Sequence, residues 1–263
     1  MGRFRRAFLL VALSGAMRPL AAQGIPFPIV EFNQHDSIAR ALLQYDACGW
    51  RASDAVMRED SAALKRMGPE WLCYDDGGRW HAVFGRFDSV TDSYQIVAHY
   101  VLHDTVPSRT TEPLDTIAVT ARARALHRTA ALLPTQFTKS GLRFNPYVEP
   151  DGNNLQVWIL PAWQPNGAAV FGAEAEYTFD SSGHSLRSSR VIPGPIRWYR
   201  PDPTVEFRID SNSPDTPTVG DIFFFYLVRP YFKSIRIQTP KYSSTQLRTA
   251  SGYVWIHAVR EHR

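Results

Sequence analysis

A few groupings of side chains in this sequence have types and spacings that could do chemistry. His99 and His103, followed by Asp104, form the densest histidine cluster. On a strand, residues four apart share a face, and neutral imidazoles on one face can bind a metal. Four strand residues span about 13 Å, too far for a single ion. The pair therefore reads as a solvated polar face with Val101 between the rings, and Ile96, Ala98, Tyr100 and Leu102 as the core side. Glu174 and Glu176 alternate in the same way and read as an outward carboxylate face. Asp75 and Asp76 precede Gly77-Gly78, where Asp is favoured because it bonds the turn backbone. His81, His127, His184 and His257 stand alone and carry no assigned role. No Gly-x-Ser-x-Gly elbow, phosphate-binding glycine loop, His-Glu-x-x-His or Cys-x-x-Cys is present. A Ser/His/Asp triad assembled from distant residues would leave no local mark. On these grounds no residue is assigned a catalytic, cofactor-binding or metal-binding role, and no cofactor is expected.

One stretch resembles a known family. Arg208-Ile-Asp210, followed by Pro217-Thr218-Val-Gly-Asp221, is similar to the metal motif of the JAB/MPN (JAMM) metalloproteases. That family carries His-x-His and then Pro-Ser-x-x-Asp, its two His and its Asp holding zinc. Arg208 and Asp210 occupy the His positions, and a guanidinium has no lone pair to give a metal. The resemblance implies a related fold that has lost its metal, with residues 219–232 helical: a pseudoenzyme. Three further segments, Phe144-Asn145-Pro146-Tyr147, Val157 to Pro161 and Tyr177 to Gly183, resemble uncharacterised exported bacterial proteins and imply export without a biochemical role.

These residues need elements to hold them. Asp36 is placed to cap a helix to about Ala47, and Ser53 a second one ending at Gly68-Pro69, giving a helical hairpin with Cys48 in its connection. Gly24 to Asn33 reads as an extended lead. Period-two patterns predict a β-hairpin over Trp71 to Phe87 and a strand from Tyr94 to His103. Asp115 to Leu133 reads as a helix with Arg122, Arg124 and Arg128 on a solvated face. The second half reads as strands: Leu155 to Leu160, Val170 to Phe179 turning into Leu186 to Ile192, Val205 to Ile209, Ile235 to Gln238 and Tyr253 to Val259. Residues 221–228, Asp-Ile-Phe-Phe-Phe-Tyr-Leu-Val, fit either a buried strand or a helix capped by Thr218; periodicity does not choose between them. The expected class is α+β, with the N-terminal hairpins and one further helix followed by a mainly antiparallel sheet.

The chain opens with Arg3, Arg5 and Arg6, an apolar run from Ala7 to Met17, and small residues to Ala22. This is the three-part pattern of a secretory signal, and the run is shorter than the about 20 apolar residues a membrane span requires. The expected organisation is a signal at 1–22, a region at 23–134 and a β-rich region at 135–263, the latter two either separate or one domain. Removing 1–22 discards four Arg and no acid, so 29 basic against 25 acidic residues becomes 25 against 25. That balance argues against nucleic acid as a partner, and no later segment is apolar enough for membrane insertion. The 44% apolar and 13% aromatic content supports a real core. In an oxidising periplasm or extracellular space, the only two cysteines, Cys48 and Cys73, are expected to bridge, stabilising the fold by about 3 kcal/mol. The expectation is thus an exported binding or structural domain for an unidentified ligand or protein, with an exported hydrolase or the metal-free pseudoenzyme as alternatives. Seven tryptophans, Trp50, Trp71, Trp80, Trp158, Trp163, Trp198 and Trp255, could line a ligand groove or fill core and rim.

Overall fold

The computed structural model describes residues 26–192 and 194–260; the signal expected at 1–22 lies outside them. The chain is α+β, with its C-terminal half mostly sheet. The first helix, α1 (Ile29–Val56), runs unbroken where two helices joined at Cys48 were expected. Gly49 does not interrupt it, and the Ser53 hydroxyl donates to the Gly49 carbonyl one turn back instead of capping a new helix. Gly49 serves packing: a Cβ there would lie 2.3 Å from Trp71 Cζ3. The chain turns at Asp60, whose carboxylate accepts from Ala63 N to cap the short α2 (Ser61–Arg66).

Strands β1 (Trp71–Asp76), β2 (Arg79–Asp88), β3 (Ser93–His103) and β4 (Val106–Arg109) form an antiparallel sheet in sequence order. Gly77 and Gly78 both have positive φ, 61° and 90°, as a tight hairpin turn requires. Helix α3 (Thr116–Leu132) is capped by Asp115 and leads through α4 (Thr135–Thr138) into the second sheet. That sheet orders β5 (Phe144–Asp151), β6 (Asn154–Pro161), β8 (Glu174–Asp180) and β9 (Leu186–Ile192), all antiparallel. The expected Val170–Phe179 strand breaks at Gly172 (φ 98°), leaving β7 (Ala169–Phe171) to pair with β10 (Arg197–Tyr199), for which no strand was expected.

The third sheet orders β11 (Asp202–Asp210), β12 (Phe232–Gln238), β13 (Tyr242–Thr249) and β14 (Gly252–Val259). Its β11–β12 pair is parallel, so a crossover must join them. That crossover is α5 (Val219–Val228), which settles residues 221–228 as helix. The deciding interaction is local: Thr218 Oγ1 accepts from Asp221 N while Asp221 accepts from Thr218 N, a capping box. Because α5 is apolar on every side it is buried on every side, among α1, the third sheet and β7.

Two cores result. The larger takes Leu42 and Tyr45 from α1, Cys73 and Phe84 from the first sheet, Phe223 and Phe225 from α5, and Ile209 and Ile237 from the third sheet. The second packs Val119 and Leu126 of α3 between Leu72 and Val83 of the first sheet and Val148, Val157 and Phe179 of the second. Core residues come from both sides of residue 134, and each fully buried aliphatic or aromatic side chain contributes about 1.5–3 kcal/mol.

Candidate functional site

The second sheet positions the candidate site because its two faces are treated differently. Val148, Val157 and Tyr177 pack towards α3. The opposite face carries Glu149, Gln156, Trp158, Glu176 and Arg190, and α1 covers it only in part. A groove of about 1160 Å³ remains between that face, the N-terminal half of α1 and the β1–β2 hairpin. Register fixes its floor: Glu149 lies opposite Gln156, which lies opposite Thr178, and Trp158 lies opposite Glu176, itself opposite Arg190. Trp80 of β2 and His35 of α1 enter from the walls. His35 is tied by Nδ1 to the Pro217 carbonyl (2.8 Å), and Glu31 accepts from Thr216 Oγ1 (3.0 Å), which anchors this end of α1 to the loop before α5.

Burial favours the neutral form of both floor carboxyls. It pushes Glu149 up to about 7, with the charge of Asp75 adding and Arg122 opposing. Burial also raises Glu176, against Arg190 and His35, and its oxygen lies 3.9 Å from Arg190 Nη1. The groove therefore offers two carboxyls that can accept or donate, one of them titrating near neutrality, beside two indoles.

Glu174, two residues before Glu176 on the same strand face, has a different environment. The N-terminus of α5 covers it, and it is 6% exposed. Its oxygens accept from Thr218 Oγ1 (2.7 Å) and Gly220 N (2.9 Å). Asp221 beside it accepts from Ser211 Oγ and from Thr218 N. Burial first, then the Asp221 charge, push Glu174 up to about 8. The cavity at this knot is about 20 Å³, room for about one water and for no ligand. The outward carboxylate face expected for 174 and 176 is thus corrected: one carboxyl is sealed under a helix and the other lines a groove.

The histidine readings change too. A bulge between Phe84/Gly85 and the facing β3 residues moves Ile96 to the α3 side, while Ala98, Tyr100 and Leu102 face the larger core as expected; His99 and Val101 lie opposite them, as expected, on a side that is also covered. His99 is 5% exposed, not solvated, and its Nε2 lies 2.9 Å from Nδ1 of His81. His81 stacks flat on Tyr74 at 5.0 Å. Burial lowers both imidazoles, favouring their uncharged form. His127 meets Glu70, His184 lies 3.4 Å from Asp92, and His257 stacks on Phe27 and meets Ser244. Arg124, read as part of a solvated face, is buried and grips Asp92 through Nε and Nη2.

Arg208 and Asp210 sit on β11, paired with each other, and Asp210 also takes Arg197. Among the described residues no group of three or more His, Cys, Asp or Glu is placed to hold a metal. Cys48 and Cys73 are buried free thiols brought together from α1 and β1; Cys73 lies within hydrogen-bonding reach of Cys48, whose Sγ is 3.6 Å from the His81 carbonyl. Among the described residues no helix is long and apolar enough to cross a membrane.

Among the described residues, fold and site define an α+β protein of three four-stranded sheets and a two-stranded β7–β10 ladder, with an acidic, tryptophan-walled groove. Compared with protein-family models, curated proteins and solved structures, the chain matches none. Sequence reasoning missed Glu149, which lies on a strand interrupted by Pro146 and Pro150 and was not read as one. The Trp158 and Glu176 spacing was visible, but their meeting across the β6–β8 pair was not.

Proposed function

We propose that this chain is an exported, non-catalytic binding protein that takes its ligand into the groove between α1 and the second sheet. The observation that carries this reading is the convergence of Trp80, Trp158, Glu149 and Glu176 on one cavity of about 1160 Å³. Ligand sites are concave, with aromatic walls and a few convergent polar groups. Export rests on the N-terminal signal pattern, and the bridge between Cys48 and Cys73 belongs to the same reading: the two thiols are already neighbours, so oxidation after export requires little rearrangement. Thermal-shift titration of polyamines and short peptides tests the groove. At least one should stabilise the protein and lose its effect on Trp80→Ala. No stabilising ligand, or one acting equally on that variant, would end the proposal.

Hydrolysis is the second reading, favoured by one observation: Glu149, held at about 7, retains a proton to donate near neutrality while sharing the groove with Glu176. A hydrolytic activity abolished by Glu149→Gln, with the fold intact, would establish it over simple binding. The metal-free pseudoenzyme reading draws support from the capped helix at 219–228 and from Arg208 paired to Asp210. Stoichiometric zinc in the purified protein would overturn it.

A further inference from the structure

The C-terminal half of α1 borders a second cavity, of about 400 Å³, away from the groove and within the about 300–1,000 Å³ range of small-molecule sites. Asp46, Trp50 and Ser53, at helical spacings of four and three, line it from α1; Asn145 and Tyr147 line it from β5, and Trp71 and Trp163 complete the wall. We infer that this cavity binds a saccharide ring, stacked against the tryptophans and hydrogen-bonded to Asp46. The inference stands on these residues and does not depend on the groove.

Three features support it. First, the indoles are prepared surfaces. Trp71 approaches α1 closely because residue 49 has no Cβ, and Tyr45 backs it with ring centroids 5.4 Å apart. Trp163 is held edge-on by Tyr231 at 5.4 Å, while Trp50 at the lip is 71% exposed, an unusual state for the largest apolar side chain. Second, the polar end is half used. Asp46 Oδ1 accepts from both Asn145 Nδ2 (2.9 Å) and Tyr147 OH (2.8 Å), and among the described residues no donor meets Oδ2. Third, the chemistry excludes simpler ligands. A wholly apolar occupant would leave the largely desolvated Asp46 without a further partner, which is costly. A simple anion would face its carboxylate, and a simple cation would meet Arg143 in the same wall. A pyranose satisfies both ends: its C–H faces lie on indole rings and its hydroxyls donate to the free carboxylate oxygen.

Isothermal titration and tryptophan fluorescence of the full chain with cellotriose, chitotriose and maltotriose, carried into the millimolar range, test this. Choline serves as the cationic control. At least one trisaccharide should bind, with affinity falling about tenfold in Trp50→Ala and in Asp46→Asn and unchanged in Trp198→Ala, an exposed tryptophan that lines neither cavity. Trp50 is exposed and Asn keeps an acceptor for Asn145 and Tyr147, so both variants should retain the wild-type circular dichroism spectrum. Binding of choline alone, binding of no saccharide, or saccharide binding indifferent to both variants overturns the inference. Loss confined to Trp80→Ala moves the saccharide to the groove, overturning this site while leaving the groove reading in place.

Discussion

Glu174→Gln isolates the most strongly perturbed carboxyl of known surroundings. Glu174 is sealed beneath the N-terminus of α5 and held at about 8 by burial and by the charge of Asp221, against an ordinary value of 4.5. A carboxyl raised on folding binds its proton more tightly folded than unfolded. The unfolded chain loses the proton first, so stability falls as pH rises from about 4.5 and levels off above about 8. At 1.36 kcal/mol for each tenfold change in proton affinity, the full effect is at most about 5 kcal/mol. Sharing of a proton with Asp221 and local relaxation reduce this, so about 2–4 kcal/mol is the expected reading. Glutamine mimics the protonated acid: its carbonyl can accept from Gly220 N, and its amide can donate to Thr218 Oγ1. Urea unfolding followed by circular dichroism at pH 5, 7 and 9 should place the variant within about 1 kcal/mol of wild type at pH 5 and clearly above it at pH 9, a gain of several degrees in Tm. Titrating groups other than Asp221 cancel in this comparison. A difference between the two proteins that stays constant from pH 5 to 9, or that favours wild type in alkali, would refute the argument that the site holds a proton.

Gly49→Ala should destabilise the protein by about 1–3 kcal/mol and alter tryptophan emission, because the new Cβ meets the Trp71 ring at 2.3 Å and the clash outweighs the roughly 1 kcal/mol helix-propensity gain. Cys48 and Cys73 of exported protein should resist alkylation when denatured without reductant; two reactive thiols would remove the bridge. His257, lowered to about 4 mainly by burial while stacked on Phe27, resists protonation when folded, so stability from this group is lost as pH falls below about 6.5. His257→Phe should therefore gain on wild type as unfolding is measured from pH 7 down to 4, and a gap that does not widen in acid contradicts the assignment. Asp115→Ala, which removes the acceptor for Ala118 N at the start of α3, should cost about 1 kcal/mol by urea denaturation, and no loss would show the cap to be idle.

The α+β class, the β1–β2 hairpin, α3 and most C-terminal strands were legible because each has a short-range cause: alternation, an Asp cap, a Gly-Gly turn. Where the expectation failed, a tertiary contact had won. The first helix was expected to end at about Ala47, yet α1 runs on through Gly49, where the Trp71 ring packs against the backbone. Polar β13 was invisible because its neighbours β12 and β14, not its own pattern, make it a strand. His99 kept its expected side of β3, opposite Tyr100, and was buried because His81, Tyr74 and α3 cover that side; the bulge moved only Ile96 across.

By itself the sequence determined local matters: where the Gly77-Gly78 turn falls, where α3 runs, and that a chain without residues 1–22 would carry 25 basic and 25 acidic residues; the caps suggested at Asp36 and Ser53 both lie inside α1. Which carboxylates matter was decided only in three dimensions. Glu174 and Glu176 share a strand face and differ in fate because α5 settles over one end of β8, while Glu149 reaches the same groove from a strand not adjacent to theirs. Burial depends on what covers a residue, and the covering elements lie dozens of residues away in the chain.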